Sequence, residues 1–326
     1  MKITVLGAGA WGTALARLLA QAGHSVTLWD YFPETLTQIA RTGYNTCYLP
    51  DIPLPKELIL EPEVDRAWRG ADCVVVAVVS KAFRQVTQHL AGFTGPVLTV
   101  TKGIEAGTGL TMSGVLAETA PQAQVAALSG PTLALEVARG VPTAMVAASA
   151  ADSVAALAQR LLHRPSLRIY TSSDVRGVEL GGALKNVVAI AAGACDGLGF
   201  GDNSKAALVT RGLAEMRRLG VACGARPETF AGLSGLGDLV VTCFSRLSRN
   251  RMLGERLGKG EKLETILAST VTVAEGYPTT QAAVQLARRF GVSTPIIDQV
   301  YAMLYEGKAP AQALEALLSR EPKAED

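Results

Sequence analysis

A chain of 326 residues with 48% hydrophobic side chains, 18% charged side chains and 33 glycines has the composition of a compact α/β protein with room for two domains, and excludes a disordered or fibrous one. Its formal net charge of +2 gives no reason to expect nucleic acid or an anionic membrane as partner, and the longest apolar runs, Val74–Val79 and Val187–Ala192, are too short to span a bilayer. Five scattered cysteines without a CxxC pair and three dispersed histidines argue against a disulfide framework and a metal site; with no secretory pattern ahead of the first strand, a reducing cytoplasm is the expected location.

Taken in order, Ile3–Leu6 reads as a buried parallel strand. It runs into Gly7-Ala-Gly9-Ala10-Trp11-Gly12, a helical stretch at Thr13–Ala22, and a second strand at Ser25–Trp29 that ends on Asp30. GxGxxG between a strand and a helix, with an acid closing the next strand, is the dinucleotide fingerprint. Gly7 permits the tight turn, Gly9 lets the backbone approach the pyrophosphate, and Gly12 lets helix and strand pack closely. The helix start then offers free N–H groups to phosphate. Asp30 sits where a carboxylate accepts from the adenine ribose 2′-hydroxyl and repels a 2′-phosphate, which favours NAD(H) over NADP(H). Further strands are expected at Cys73–Val78, Val97–Val100, Val125–Ser129, Ala144–Ala147 and Leu167–Tyr170, with helices at Pro33–Thr42, Ala82–Leu90, Met112–Thr119 and Ala151–Leu162. The alternation predicts a Rossmann-like, doubly wound, largely parallel sheet with its ligand at the carboxyl ends of the strands. Ser80, Thr101-Lys102-Gly103 and Ser129-Gly130-Pro-Thr132 are the polar residues at those ends, and Lys102, just past a strand-ending Val-Thr, is the informative one.

Strand signals fade after Tyr170, and a boundary at Ser173 separates residues 1–173 from an all-α second domain, 174–326. Helices are expected at Val175–Cys195, Ser204–Cys223, Pro227–Ala231, Asn250–Lys259, Thr279–Phe290 and Pro295–Glu306, with a disordered tail after Ser319. In the first of these, Lys185 and Asp196 are the only charges between Leu180 and Phe200. A lysine on an apolar helix is costly unless it is paired or faces a polar cleft, and its pKa falls readily on burial, which suits proton transfer. Glu179, Gly182, Asn186, Ala189 and Gly193 form a polar or small stripe beside it. Gly232–Asp238 reads as a glycine-rich loop ending in an acid, and Ser245-Arg-Leu-Ser248-Arg249-Asn250-Arg251 as an anion trap for a small phosphorylated substrate.

These segments together resemble the NAD(P)-dependent glycerol-3-phosphate dehydrogenases of the bacterial type. The likeness runs from Gly7–Gly12 through Thr101–Glu105, Leu128–Thr132, Gly182-Ala-Leu-Lys-Asn186, Gly232–Asp238, Ser248–Arg251 and Val273–Tyr277 to Leu304–Gly307. It implies reversible reduction of dihydroxyacetone phosphate to sn-glycerol 3-phosphate for phospholipid synthesis, NAD(H) or NADP(H) as cofactor without a metal, and a homodimer. By the same likeness Lys185 is the proton donor and acceptor, with Lys102, Gly130, Thr132, Asp238, Ser248, Arg249 and Asn250 on the substrate. Trp11, Tyr31, Lys102, Ala134, Arg249, Val273 and Glu275 then line the cofactor. Departures from the family pattern are Ala10, where a hydroxyl or amide residue is common beside the phosphates, Val79 and Leu133, which are often Pro and Phe, and Asp30, which is not general. A hydroxyacid dehydrogenase acting on a carboxylate, and a nucleotide-sensing protein without catalysis, are the competing readings.

Overall fold

The computed structural model describes residues 1–270, 273–322, 324 and 325. Its strands are β1 (Lys2–Leu6), β2 (Ser25–Trp29), the short hairpin β3 (Tyr44–Asn45) and β4 (Leu49–Pro53), β5 (Ile59–Leu60), β6 (Cys73–Val76), β7 (Pro96–Thr99), β8 (Gln124–Ser129), β9 (Thr143–Ala148) and β10 (Leu167–Ser172). Eight of them form one sheet in the order β10-β9-β8-β7-β6-β1-β2-β5, parallel except where β8 meets β9. The strand order reverses about β1, between β2 and β6, which opens a crevice at the carboxyl end of β1.

Alternate residues of each strand feed two cores. Ile3, Val5, Val75 and Leu98 pack on one face with Leu15 and Leu19 of α1 (Ala10–Gln21). Leu6, Val74, Val76 and Val97 pack on the other with Phe83, Val86, Val115 and Leu116. The connections on this side of the chain are α2 (Pro33–Thr42), α3 (Val64–Ala67), α4 (Ser80–Thr87), α5 (Met112–Thr119), α6 (Ala134–Ala138) and α7 (Asp152–Leu162). The predicted doubly wound sheet is present. Its antiparallel β8–β9 step is the departure from parallel order, because the connection carries only the five-residue α6, too short to recross the sheet.

After β10 the chain is helical: α8 (Val175–Gly197), α9 (Asp202–Ala222), α10 (Asp238–Phe244), α11 (Arg249–Gly258), α12 (Leu263–Ala268), α13 (Gly276–Phe290), α14 (Pro295–Tyr305) and α15 (Pro310–Leu318). Asp174 starts α8 by accepting a hydrogen bond from Gly177 N at 2.9 Å. α8 is buried without interruption from Gly177 to Cys195, and a helix apolar on every side belongs at the centre of a core. Leu184, Val187, Val188 and Ile190 on it meet Met216 and Leu219 of α9, Leu253 of α11, Ala283 of α13 and Ile297 of α14. Taken as a whole helix, α8 is long and apolar enough to cross a membrane, unlike the shorter runs noted above, but the qualifying stretch is wholly inside the protein.

Two expectations change here. Pro227–Ala231 is a 3-10 turn. Gly232–Asp238 is not a loop: Leu233–Gly237 makes one wide π-type turn that leads into α10. Glycine is needed in it because a Cβ at Gly235 would lie 2.2 Å from the Phe230 carbonyl oxygen. Unforeseen elements include the β3–β4 hairpin, α6, α10, α12 and α15.

Candidate active site

The glycine-rich turn is shaped by what cannot fit beside it. Gly7 has φ +109°, and a Cβ on it would press within 2.9 Å of the Ala77 carbonyl; a Cβ on Gly12 would reach 1.9 Å from the Gly7 oxygen. Gly9 is the opposite case, with open space before it. α1 begins there without a side-chain cap, and its own ladder starts with Thr13 N donating to Gly9 O at 2.9 Å. The amides of Ala10, Trp11 and Gly12 therefore have no partner within the helix and are available to an anion. Uncapped amides over empty space suit a dinucleotide pyrophosphate.

Asp30 has a second task. Its carboxylate is buried and accepts from Ala8 N (2.6 Å) and Phe32 N (2.9 Å), so it braces the glycine turn from behind. Burial raises its pKa, and the two backbone donors offset part of that rise. Each oxygen keeps a second lone pair, so the brace leaves a contact with a ribose hydroxyl open. Asn45, buried on β3 and unforeseen, completes the brace: its Nδ2 donates to Ala8 O (2.7 Å) and Thr13 Oγ1 (2.8 Å). Tyr31 is 59% exposed, edge-on to the Phe32 ring, and lies outside the cleft wall.

A cleft of about 390 Å³ runs from this turn to the helices. Of the residues expected in the site, Gly9, Ala10, Trp11, Lys102, Thr132, Ala134, Lys185, Ser248, Arg249, Asn250, Val273 and Glu275 line it. Gly130 and Asp238 do not line it but bond Lys102, which does, and Gly7 and Gly12 likewise stand outside the lining, against Ala77.

Asp238 organises the far end. Lys102, arriving from the segment after β7, places Nζ 2.6 Å from Asp238 Oδ2 and 2.8 Å from Gly130 O, with Thr132 Oγ1 at 3.3 Å. Lys185, in the middle of α8, places Nζ 3.0 Å from Asp238 Oδ1 and donates to Thr242 Oγ1 at 2.7 Å. Thr242 in turn donates to the Asp238 carbonyl at 2.6 Å. Two cations thus share one carboxylate that is 2% exposed. Burial is the main force on Lys185, the charge of Lys102 adds to it, and Asp238 opposes both; the balance brings its pKa down to about 8. Thr242 was missed because its signal, four residues after Asp238 on one helix face, exists only once α10 is recognised as a helix.

The arginine cluster is dispersed. Arg249 alone of the three faces the cleft, where it keeps solvent access although protein surrounds it closely enough to lower its pKa. Arg246 is exposed outside the cleft wall, and Arg251 pairs with Asp196 at 2.6 Å. Ser248 is the N-cap of α11, its Oγ accepting from Arg251 N at 3.2 Å. Glu275 accepts from Ser80 N (2.9 Å) and Ser80 Oγ, binding the start of α4 to the segment before α13. Glu179 does the same for Ser113 near the start of α5. The stripe on α8 therefore serves several neighbours: Glu179 holds α5, Gly182 makes room for Ser129, and Gly193 abuts the backbone of α11. Among the described residues no cluster of three or more His, Cys, Asp or Glu could hold a metal ion.

Residues 2–155 match the family model for the N-terminus of NAD-dependent glycerol-3-phosphate dehydrogenase, and residues 174–315 match the one for its C-terminus. The chain is 49% identical over 330 residues to a glycerol-3-phosphate dehydrogenase [NAD(P)+] of Geobacter sp. strain M21, covering 99% of this chain and 98% of the relative. It is 50% identical to the one of Geobacter metallireducens, with the same coverage. Among solved structures, glycerol-3-phosphate dehydrogenase from Coxiella burnetii superposes with a TM-score of 0.95 at 38% identity, over 98% of this chain and 99% of that one.

Proposed function

The chain belongs to the NAD-dependent glycerol-3-phosphate dehydrogenase family, oxidoreductases that use NAD(P), and from that membership we propose a task for each group in the cleft. The reaction is the reversible reduction of dihydroxyacetone phosphate to sn-glycerol 3-phosphate, supplying the backbone of glycerophospholipids. Lys185 gives the proton to the C2 oxygen during reduction, and its neutral amine takes it back during oxidation. Lys102 stabilises the negative charge that grows on that oxygen. Asp238 holds both ammonium groups on one side of the substrate, and Thr242 limits Lys185 to the rotamer that reaches it. Arg249 and Asn250 at the start of α11, with Gly130 and Thr132, grip the substrate's phosphate and hydroxyls. The nicotinamide cofactor, when bound, supplies the hydride; Gly7 to Gly12, Ala134, Val273 and Glu275 would hold it.

The observation that carries this reading is Lys185 itself: a buried lysine, 3.0 Å from a shared carboxylate, with its pKa brought to about 8 so that both protonation states are available near neutrality. The remaining parts are a division into residues 1–173 and 174–326, a homodimer in the cytoplasm, and no nucleic acid partner or membrane insertion. The complete burial of α8 supports the last of these. Steady-state oxidation of NADH and of NADPH, each with dihydroxyacetone phosphate, tests the proposal. Turnover with one or both is expected; absence of turnover with either refutes it.

A further inference from the structure

Arg249 and Arg251 stand two residues apart and do different work. Arg251 turns away from the cleft, its Nε 2.6 Å from Asp196 Oδ2 and its Nη1 3.2 Å from Glu255 Oε2. Asp196, in the last turn of α8, also takes both hydrogen bonds from Lys205 Nζ of α9, at 2.9 and 2.8 Å. That ammonium is buried and sits 4.8 Å from the Phe244 ring centre. One carboxylate therefore ties α8 to both α9 and α11.

The same two helices, α8 and α11, meet backbone to backbone. A Cβ on Gly254 would lie 1.9 Å from Ile190 O, and one on Gly258 2.5 Å from Ala194 O. In the other direction, a Cβ on Gly193 would lie 1.9 Å from Arg251 O, and one on Gly197 2.3 Å from Glu255 O. Each helix offers glycines four residues apart to the carbonyls of the other, so the crossing has no slack. Nearer the cleft, Asn250 Nδ2 donates to Asn186 Oδ1 at 2.8 Å, and Asn250 Oδ1 accepts from Gly276 N at 2.8 Å.

We infer that this crossing, pinned by the Asp196–Arg251 pair, sets the distance between Lys185 and the start of α11, which makes Asp196, Gly193 and Gly254 positioning residues for the reaction. The inference rests on the proposed roles of Lys185, Arg249 and Asn250. Lys185 lies eight residues before Gly193, about 12 Å along α8, and Asn250 lies four before Gly254, about 6 Å along α11. Both arms are rigid helix, so a shift at the crossing is carried directly to the gap the substrate must span. A displacement of about 1 Å there is enough to cost on the order of 10²-fold in rate.

The test compares Asp196→Asn, Arg251→Gln and the double variant as full-length enzymes. Each single variant is expected to lose at least about ten-fold in kcat/KM for dihydroxyacetone phosphate, while the Kd for NADH, read by fluorescence quenching, stays within about two-fold. The double variant is expected to be no worse than the poorer single one, because the two changes remove one shared contact. Asp196→Glu, which keeps the charge but lengthens the side chain, supplies the same readout if Asp196→Asn does not fold. Variants that lose thermal stability yet keep kcat and KM for dihydroxyacetone phosphate within about two-fold would overturn the inference. Failure of the wild-type enzyme to turn over this substrate would refute the underlying reading instead.

Discussion

The two ends of the cleft are built on opposite plans. At the turn from Gly7 to Gly12 the working groups are backbone amides, and side chains are excluded: a Cβ at Gly7 or Gly12 would strike Ala77 or Gly7 itself. Six consecutive residues make that end, and the residues behind it, Asp30 and Asn45, only brace it. At the Lys185 end the working groups are side chains, brought in from the segment after β7, the middle of α8, α10 and the start of α11. Adjacent residues can shape a phosphate cradle because it needs a curve of N–H groups. Proton transfer needs charges of opposite sign a few ångströms apart with little water, and only tertiary packing supplies that.

The contrast can be broken first at Lys185. Lys185→Met removes the proton source and is expected to lower kcat by about 10³-fold or more, with NADH binding retained. In the wild type, reduction requires the ammonium, so its rate should fall as pH rises through about 8, while oxidation of glycerol 3-phosphate should rise over the same range. A variant with near-normal turnover, or a pH profile flat from 7 to 9, would remove Lys185 from the chemistry. Second in size is Gly12→Ala. The added methyl must displace the Gly7 carbonyl, so the Kd for NADH measured by fluorescence titration is expected to rise at least about ten-fold, with the KM for dihydroxyacetone phosphate at saturating NADH much less affected. Equal losses in both would mean the two ends are not separable. The smallest effect is expected from Asp30→Asn. An amide can accept from only one of the two backbone donors, so binding of NADH and NADPH should weaken together, by less than about ten-fold. A gain confined to NADPH would show instead that Asp30 addresses the ribose.

The same contrast governs how much could be read from the sequence. The phosphate turn was legible because its six residues are contiguous and each glycine answers a local constraint. Lys185 was legible as a lone charge in an apolar helix, and its burial at 6% exposure bears out that part. Asp30 was legible as the acid that follows β2, but its brace on Ala8 N and Phe32 N was not, since position along a strand does not say which backbone donors a carboxylate meets. Thr242 went unseen, and Ser80 was legible only as a polar residue at a strand end without its partner Glu275, because each acquires its partner only through packing of distant segments. Arg251 looked equivalent to Arg249 until Asp196 drew it off to the rear of α11. The antiparallel β9 was hidden for a related reason: alternation of strand and helix suggests direction, but the length of the connecting helix decides it.

The central helix also bears on how the polypeptide is made. α8 is covered on one side by α11, α13 and α14, the last of which ends at Tyr305, more than a hundred residues downstream of Gly197. At synthesis rates of about 5–20 residues per second, that cover arrives roughly 5–20 s after α8 leaves the ribosome. Through that interval the emerging chain carries 23 residues with the length and apolarity of a membrane span, and only α9 and the sheet already made can cover part of them. The yield of folded enzyme should therefore depend on the supply of chaperones that hold nascent apolar segments, more than its final compactness would suggest.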